Sequence, residues 1–158
     1  MPPPVHFRRG ETADLDAINA VITRAIGTWT VSDRVKRLAL PSYHYQPEDF
    51  TQLEFMVALL NQRVTAVAAW EPAAASELPA DHSGLLLHGL FVDPDAAGRG
   101  LGSSLLQACI TAAREKGLDG VLVRATRDSA SFFEHCGMRR LPVLDDRRDH
   151  AMRYWLPT

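Results

Sequence analysis

Apolar positions along this chain recur with two periods, and the places where the period changes mark the expected elements. Val5 to Arg9 reads as a first strand. Leu15, Ile18, Val21, Ile22, Ala25 and Ile26 then recur on one helical face. Thr12 is the expected cap of that helix, and Asp14 and Asp16 sit where the dipole favours anions. Gly27 ends it. Ser32 caps a second helix that runs through Leu40 and is stopped by Pro41. Tyr43, His44 and Tyr45 cluster before Pro47 in what reads as a loop, a place where substrate-lining aromatics and ordinary surface packing are equally at home.

"FMVALLNQRVTAVAAWE" is a hairpin pattern, with two apolar runs split by a turn near Asn61 and Gln62. A small-residue loop, "PAAASELPADHSG", follows. Leu85 to Val92 is apolar almost throughout, which predicts a strand covered on both faces. After Gly102, the residues Leu105, Leu106, Cys109, Ile110 and Ala113 form the inner face of a third helix, closed by Arg114, Lys116 and Gly117. A strand (Gly120 to Thr126) and a short helix (about Asp128 to Cys136, ending at Gly137) come next. Two last strands, around Leu141 to Leu144 and His150 to Leu156, are joined by the charged "DDRRD". The order is β-α-α-β-β-β-α-β-α-β-β, an α/β chain with one mixed sheet and helices on both faces.

The most informative stretch is residues 87 to 106, "LHGLFVDPDAAGRGLGSSLL". An apolar strand stops at a proline, glycines follow at 98, 100 and 102, and a helix pattern begins. A helix start offers about four main-chain N–H groups without internal partners, together with the positive end of the dipole. Those groups suit phosphate oxygens when side chains do not block the approach. Here Gly98, Gly100 and Gly102 remove side chains at alternate positions, Arg99 adds a cation and the Ser103 hydroxyl adds a donor. A dinucleotide-binding G-x-G-x-x-G lacks its third glycine, and a P-loop lacks its GK[ST]. Taken alone, the motif is either a phosphate site or a tight strand-to-helix connection.

Composition narrows the field. With 158 residues the chain fits one domain, spanning 1–158. Its net charge of −2 gives no general attraction for nucleic acid or an anionic membrane. The two cysteines, Cys109 and Cys136, have no metal-ligand or CxxC spacing, so no metal site is expected. Reduced thiols, no signal-peptide pattern in "MPPPVHFRR" and no run long enough for a bilayer lead us to expect a cytoplasmic protein.

"LFVDPDAAGRGLGSSLL" resembles motif A of the GNAT superfamily of acyl-CoA-dependent N-acetyltransferases. In that family a strand often ending V-x-P leads into [QR]-x-x-G-x-[GA] at the start of a helix. Gly100 and Gly102 match, and Ala97 departs at the Gln/Arg position. "ATRDSASFFEHCGM" is similar to motif B, with Phe132, Gly137 and Met138 at or near matching positions and Thr126 and Ser129 at its Asn and Ala positions. The resemblance covers nearly the whole chain. It implies a GNAT-like fold with a splayed central mixed sheet. It also implies acetyl-CoA (coenzyme A) held by Leu90, Phe91, Val92, Gly98, Arg99, Gly100, Leu101, Gly102, Ser103, Ser129, Phe132 and Phe133.

Acyl transfer to an amine needs a base for the ammonium, a donor for the oxyanion and a proton for the departing thiolate. By the resemblance, a main-chain amide near Phe91 or Val92 is the oxyanion donor. His88 is the leading base, because arylalkylamine acetyltransferases of this superfamily carry histidine at matching positions, and free imidazole titrates at about 6.5. The alternative is a core histidine bonded to backbone. Glu71 is the second base candidate. The motif B position that usually holds tyrosine is Phe133, which has no proton to give. Water, one of Cys136, His135 or Tyr154, or the absence of transfer altogether are the three accounts of the missing acid. The expected function is N-acetylation of a small-molecule amine by direct attack in a ternary complex. A non-catalytic acyl-CoA-binding module is the alternative. A homodimer is compatible with the family, and nucleic-acid and membrane partners are not expected.

Overall fold

The structure is a computed structural model that describes residues 4–143 and 152–158. Its strands are β1 (Val5–Arg9), β2 (Glu54–Leu60), β3 (Arg63–Pro72), β4 (Gly84–Val92), β5 (Gly120–Ala125), β6 (Arg139–Arg140) and β7 (Met152–Pro157). Its α-helices are α1 (Leu15–Ile26), α2 (Asp33–Tyr43), α3 (Leu101–Glu115) and α4 (Ala130–His135). The strands form a mixed seven-stranded sheet in the order β1-β2-β3-β4-β5-β7-β6. β4 and β5 are parallel, while β1/β2, β5/β7 and β6/β7 are antiparallel.

Contacts group the chain into two compact units. One comprises Met1–Ala69 with Gly89–Leu106, the other Trp70–His88 with Gln107–Thr158. In the first unit, the α1 stripe read from the sequence is the core: Ile18, Val21, Ile22 and Ile26 are at most 1% exposed. Ile18, Ile22 and Ile26 pack with Phe55, Val57 and Val67 from the β2–β3 hairpin. Each such side chain removed from water contributes about 1.5–3 kcal/mol. The hairpin turns at Asn61 and Gln62, whose φ values of 53° and 66° are the pair of left-handed residues that a two-residue turn between twisted strands requires.

In the second unit, Leu86 of β4, Leu122 of β5, Trp155 of β7 and Leu78 form a smaller core. Gly84 and Gly120 face each other in the β4–β5 register beneath the Trp155 indole. A Cβ on Gly120 would lie 2.5 Å from Trp155 Cζ2 and 2.6 Å from the Leu156 carbonyl oxygen. Close approach, rather than an unusual backbone angle, is why glycine stands there.

Three expectations need correction. Thr12 does not cap α1; it opens a 3-10 turn, Thr12–Asp14, and Asp14 accepts from the Glu11 N–H (2.8 Å) while pairing in bidentate fashion with Arg8 (2.8 and 2.9 Å). Pro41 does not stop α2, which is capped by Ser32 as expected but runs on to Tyr43. The carbonyl that loses its donor belongs to Arg37, an exposed residue, where solvent is at hand to take the place of the missing N–H. The strand expected at Leu141 to Leu144 is instead the two-residue β6 at Arg139–Arg140. Leu144, "DDRRD" and His150 lie outside the described residues.

Candidate functional site

β4 changes character along its length. Residues 84–87 are buried and paired with residues 120–123 of β5; the parallel register ends at Leu87↔Val123, although β4 continues to Val92. His88 is exposed, and Gly89, Leu90, Phe91 and Val92 are half-buried. The expectation that both faces of Leu85 to Val92 are covered therefore holds only for the paired part. Apolar character states that a residue gains from cover; it does not state what supplies the cover.

In the first unit the uncovered part of β4 meets an aromatic group. Tyr43 stands edge-on to Phe91 (centroids 6.1 Å apart, 82°) and to Trp29 (5.2 Å, 89°). Tyr45 is 4% exposed, and its hydroxyl lies so close to Gly89 that a Cβ there would collide with it. Asn19 of α1 holds the Tyr45 backbone at both ends, donating to its carbonyl and accepting from its N–H, each at 2.9 Å. The segment read as a loop is thus a helix end followed by a core residue. His44 Nε2 lies 2.7 Å from Thr23 Oγ1, and that hydroxyl donates its one hydrogen to the Asn19 carbonyl at 2.9 Å.

β4 is followed by Asp93, which sequence reasoning passed over. This residue is 4% exposed, and its carboxylate accepts from two guanidinium nitrogens of Arg24 at the end of α1. The only signal was the aspartate-proline pair in "VDPD", a turn signature; nothing in the sequence pointed to Arg24. Burial by itself pushes the Asp93 carboxyl up. The Arg24 hydrogen bond, the Asp95 N–H and the nearby Arg24 and Arg63 charges outweigh it and hold the group below the usual carboxylate range.

The turn into α3 follows. Gly98 (φ 81°) and Gly100 (φ 74°) are left-handed, a conformation that side chains other than glycine rarely adopt. A Cβ at either would enter open space, so the backbone angle rather than crowding selects glycine there. The Ala97 N–H donates to the Pro94 carbonyl (3.2 Å), and the Ser104 N–H donates to the Gly100 carbonyl (3.0 Å). Gly98, Arg99, Gly100 and Ser103 are exposed, and Leu101 and Gly102 are buried. The inner face expected for α3 is buried at every position named: Leu105, Leu106, Cys109, Ile110 and Ala113.

The remaining assigned residues lie in the second unit. Glu71, near the end of β3, is half-buried. Ser129 accepts from the Thr126 N–H (2.9 Å), tying off the start of α4. Phe133 is 4% exposed and packs against half-buried Phe132 (5.1 Å between centroids). Of the three alternative proton donors, Cys136 is half-buried and His135 exposed, while Tyr154 is 1% exposed and donates its hydroxyl to Glu134 (2.5 Å). That hydrogen bond, followed by burial and the Glu134 charge, raises the Tyr154 pKa and makes its phenol a weaker acid. No group of three or more potential metal ligands occurs among the described residues.

Strand order, the uncovered end of β4 and the glycine turn into α3 together define an acyltransferase-like α/β fold. The chain belongs to the GNAT family of acetyltransferases, whose family model matches residues 23–138. Solved structures agree on the fold. PaiA N-acetyltransferase from Thermoplasma acidophilum, in complex with coenzyme A, aligns at a TM-score of 0.77 and 13% identity, over 98% of this chain and 99% of that one. A GNAT acetyltransferase from Brucella melitensis, in complex with acetyl-CoA, aligns at 0.66 and 16% identity, over 98% and 88%. An N-acetyltransferase from Staphylococcus aureus Mu50 aligns at 0.64 and 19%, over 98% of each chain. No curated protein matches the sequence.

Proposed function

We propose that this chain transfers an acetyl group from acetyl-CoA to the amine of a small molecule, by direct attack while both are bound. The observation that carries the reading is the turn at residues 98–103, where two left-handed glycines, Gly98 and Gly100, lead into a fifteen-residue helix, the kind of helix start whose main-chain N–H groups suit phosphate oxygens. Those donors, with the exposed Arg99 beside them, fit a diphosphate. Acetyl-CoA, when bound, supplies an acyl group on a sulfur leaving group. Residues 98–103 would hold its diphosphate, and Leu90, Phe91 and Val92 would hold its arm along the end of β4 that runs beyond the β5 register. Ser129, Phe132 and Phe133 are further contacts proposed from the resemblance. His88, exposed on β4, accepts the proton of the acceptor ammonium, with Glu71 as the second candidate. A main-chain N–H near Phe91 or Val92 donates where negative charge develops. Water supplies the proton for the leaving sulfur.

The test is incubation with acetyl-CoA and a broad panel of amines, read by the release of free thiol. Thiol is expected only with amines the site accepts. Tight coenzyme A binding with no thiol released by any amine would sink the transfer reaction.

That outcome leaves a second reading, an acyl-CoA-binding module without transfer. Phe133 favours it, because a buried phenylalanine stands where the family's usual proton donor would be, and the Tyr154 hydroxyl is engaged by Glu134. Phe133→Tyr separates the two. Little change in turnover supports transfer with water as the acid, and a large rise marks a degenerate site.

A further inference from the structure

Residues 97–100 form an exposed four-residue span between two buried points, Ala96 (2% exposed) and Leu101 (3%). The position of every donor in that span depends on how firmly its two ends are fixed. At the α3 end the restraint is apolar, with Leu101 and Leu105 buried. At the β4 end it is polar and centred on Asp93. The Asp93 N–H donates to the Thr65 carbonyl of β3 (2.8 Å) and its carbonyl accepts from the Ala96 N–H (2.8 Å). Its Oδ1 accepts from the Asp95 N–H (3.0 Å), and Oδ2 accepts from Arg24 Nε (2.9 Å) and from a second Arg24 nitrogen.

Packing does not do this work unaided. An open surface pocket of about 130 Å³, lined in part by Arg63, Thr65, Asp93, Asp95 and Ala96, flanks the same turn. A turn with solvent on one side leans more on its bonds. A carboxylate buried this deeply is also costly to place unless paired, and a turn that needed only to close would do so with an exposed aspartate or asparagine.

We propose that Asp93, clamped by Arg24, is a positioning residue for the diphosphate cradle: it fixes the turn that sets the direction of the N–H groups of residues 98–103. The proposal rests on the reading of that turn as a diphosphate site. Asp93 touches no part of the bound molecule; it acts through the Pro94–Ala96 turn. Arg24 is joined to the cradle by the same route, so α1 and the cradle move as one piece within their unit.

The test is calorimetry with coenzyme A on the wild-type chain, Asp93→Asn, Arg24→Met, the double variant and Arg24→Lys. Ile22→Val, a core change in α1 away from the turn, is the control for general loss of stability. Asp93→Asn and Arg24→Met are each expected to weaken coenzyme A at least tenfold. The double variant should be no weaker than the worse single, because both remove one clamp. Arg24→Lys should restore most of the affinity, and Ile22→Val should stay within twofold of wild type. Should Asp93→Asn fail to fold, Arg24→Met and Arg24→Lys still decide, since the Arg24 side chain is 42% exposed. Coenzyme A affinity within twofold of wild type in Arg24→Met overturns the clamp and leaves the cradle standing. Additive losses in the double variant overturn it too, since they mean two independent effects. Absence of binding to the wild-type chain overturns the cradle reading itself, and the clamp falls with it.

Discussion

Residues 84–87 of β4 are buried, in register with β5, and packed so tightly that two facing glycines lie under an indole ring. Residues 88–92 of the same strand, no less apolar apart from one histidine, are exposed or half-buried and run past the end of that register. The first part is finished by the fold. The second lies beyond the β5 register, with its apolar side chains only half-buried. The contrast teaches that an apolar strand can be partly core and partly half-exposed, with no change in its sequence character at the boundary.

Substitutions on either side should separate these roles. The largest loss of stability is expected from Gly120→Ala, because the new methyl meets a carbonyl oxygen and a ring that cannot move independently. Overpacking of this kind costs about 1–3 kcal/mol, and the rigid neighbours place it at the upper end; urea denaturation reads it as a lower midpoint. Gly89→Ala in the second part meets only the tip of Tyr45 and the edge of Phe91, so the loss should be about 1–2 kcal/mol. Tyr45→Phe in the same chain should recover part of that loss, and full additivity of the two changes would show that the hydroxyl is not the obstacle.

A smaller effect concerns the carboxylates near the two ends of β4. Asp119 accepts from the Ser83 N–H beside Gly84 (2.8 Å), and Asp93 follows Val92. The Ser83 hydrogen bond lowers the Asp119 pKa, and Asp93 is lowered as described above. A depressed folded-state pKa gives stability that is fully present above the ordinary carboxylate value of about 3.9 and is lost as pH falls through the folded value. The denaturation midpoint should therefore fall below about pH 4, and Asp119→Asn should flatten part of that decline. A pH-independent midpoint between pH 5 and 2 would contradict both assignments. His88→Ala should change stability least, within about 0.5 kcal/mol, since the side chain is exposed. Its effect belongs to rate: turnover should fall most near neutral pH and recover in part at alkaline pH, where the acceptor amine is already neutral. Unchanged turnover at every pH would remove His88 from the reaction.

Much of the fold was legible in the sequence because its signals are local. The period of Ile18, Val21, Ile22 and Ile26 specifies a helix face wherever that helix packs. The turn at Asn61 and Gln62, the Ser32 cap and the run of buried residues in α3 likewise depend on a few neighbouring positions. The glycines at 98 and 100 were legible for a related reason, and the structure adds one of its own: both hold left-handed backbone angles.

Other features depend on residues far apart in the chain, and no local pattern carries them. Arg24 and Asp93 are 69 positions apart, as are the partners of no short motif. Tyr45 became core only because Asn19 and Gly89 meet it from two other elements. Pro41 was tolerated because the carbonyl it deprives belongs to an exposed residue. Sequence alone determined most of the elements and their order, since each follows from spacing along one segment, and its two motifs carried the resemblance to the family. Tertiary structure alone decided where β4 stops being core and which side chains fix the turn beyond it, because burial and ion pairing are properties of neighbours in space.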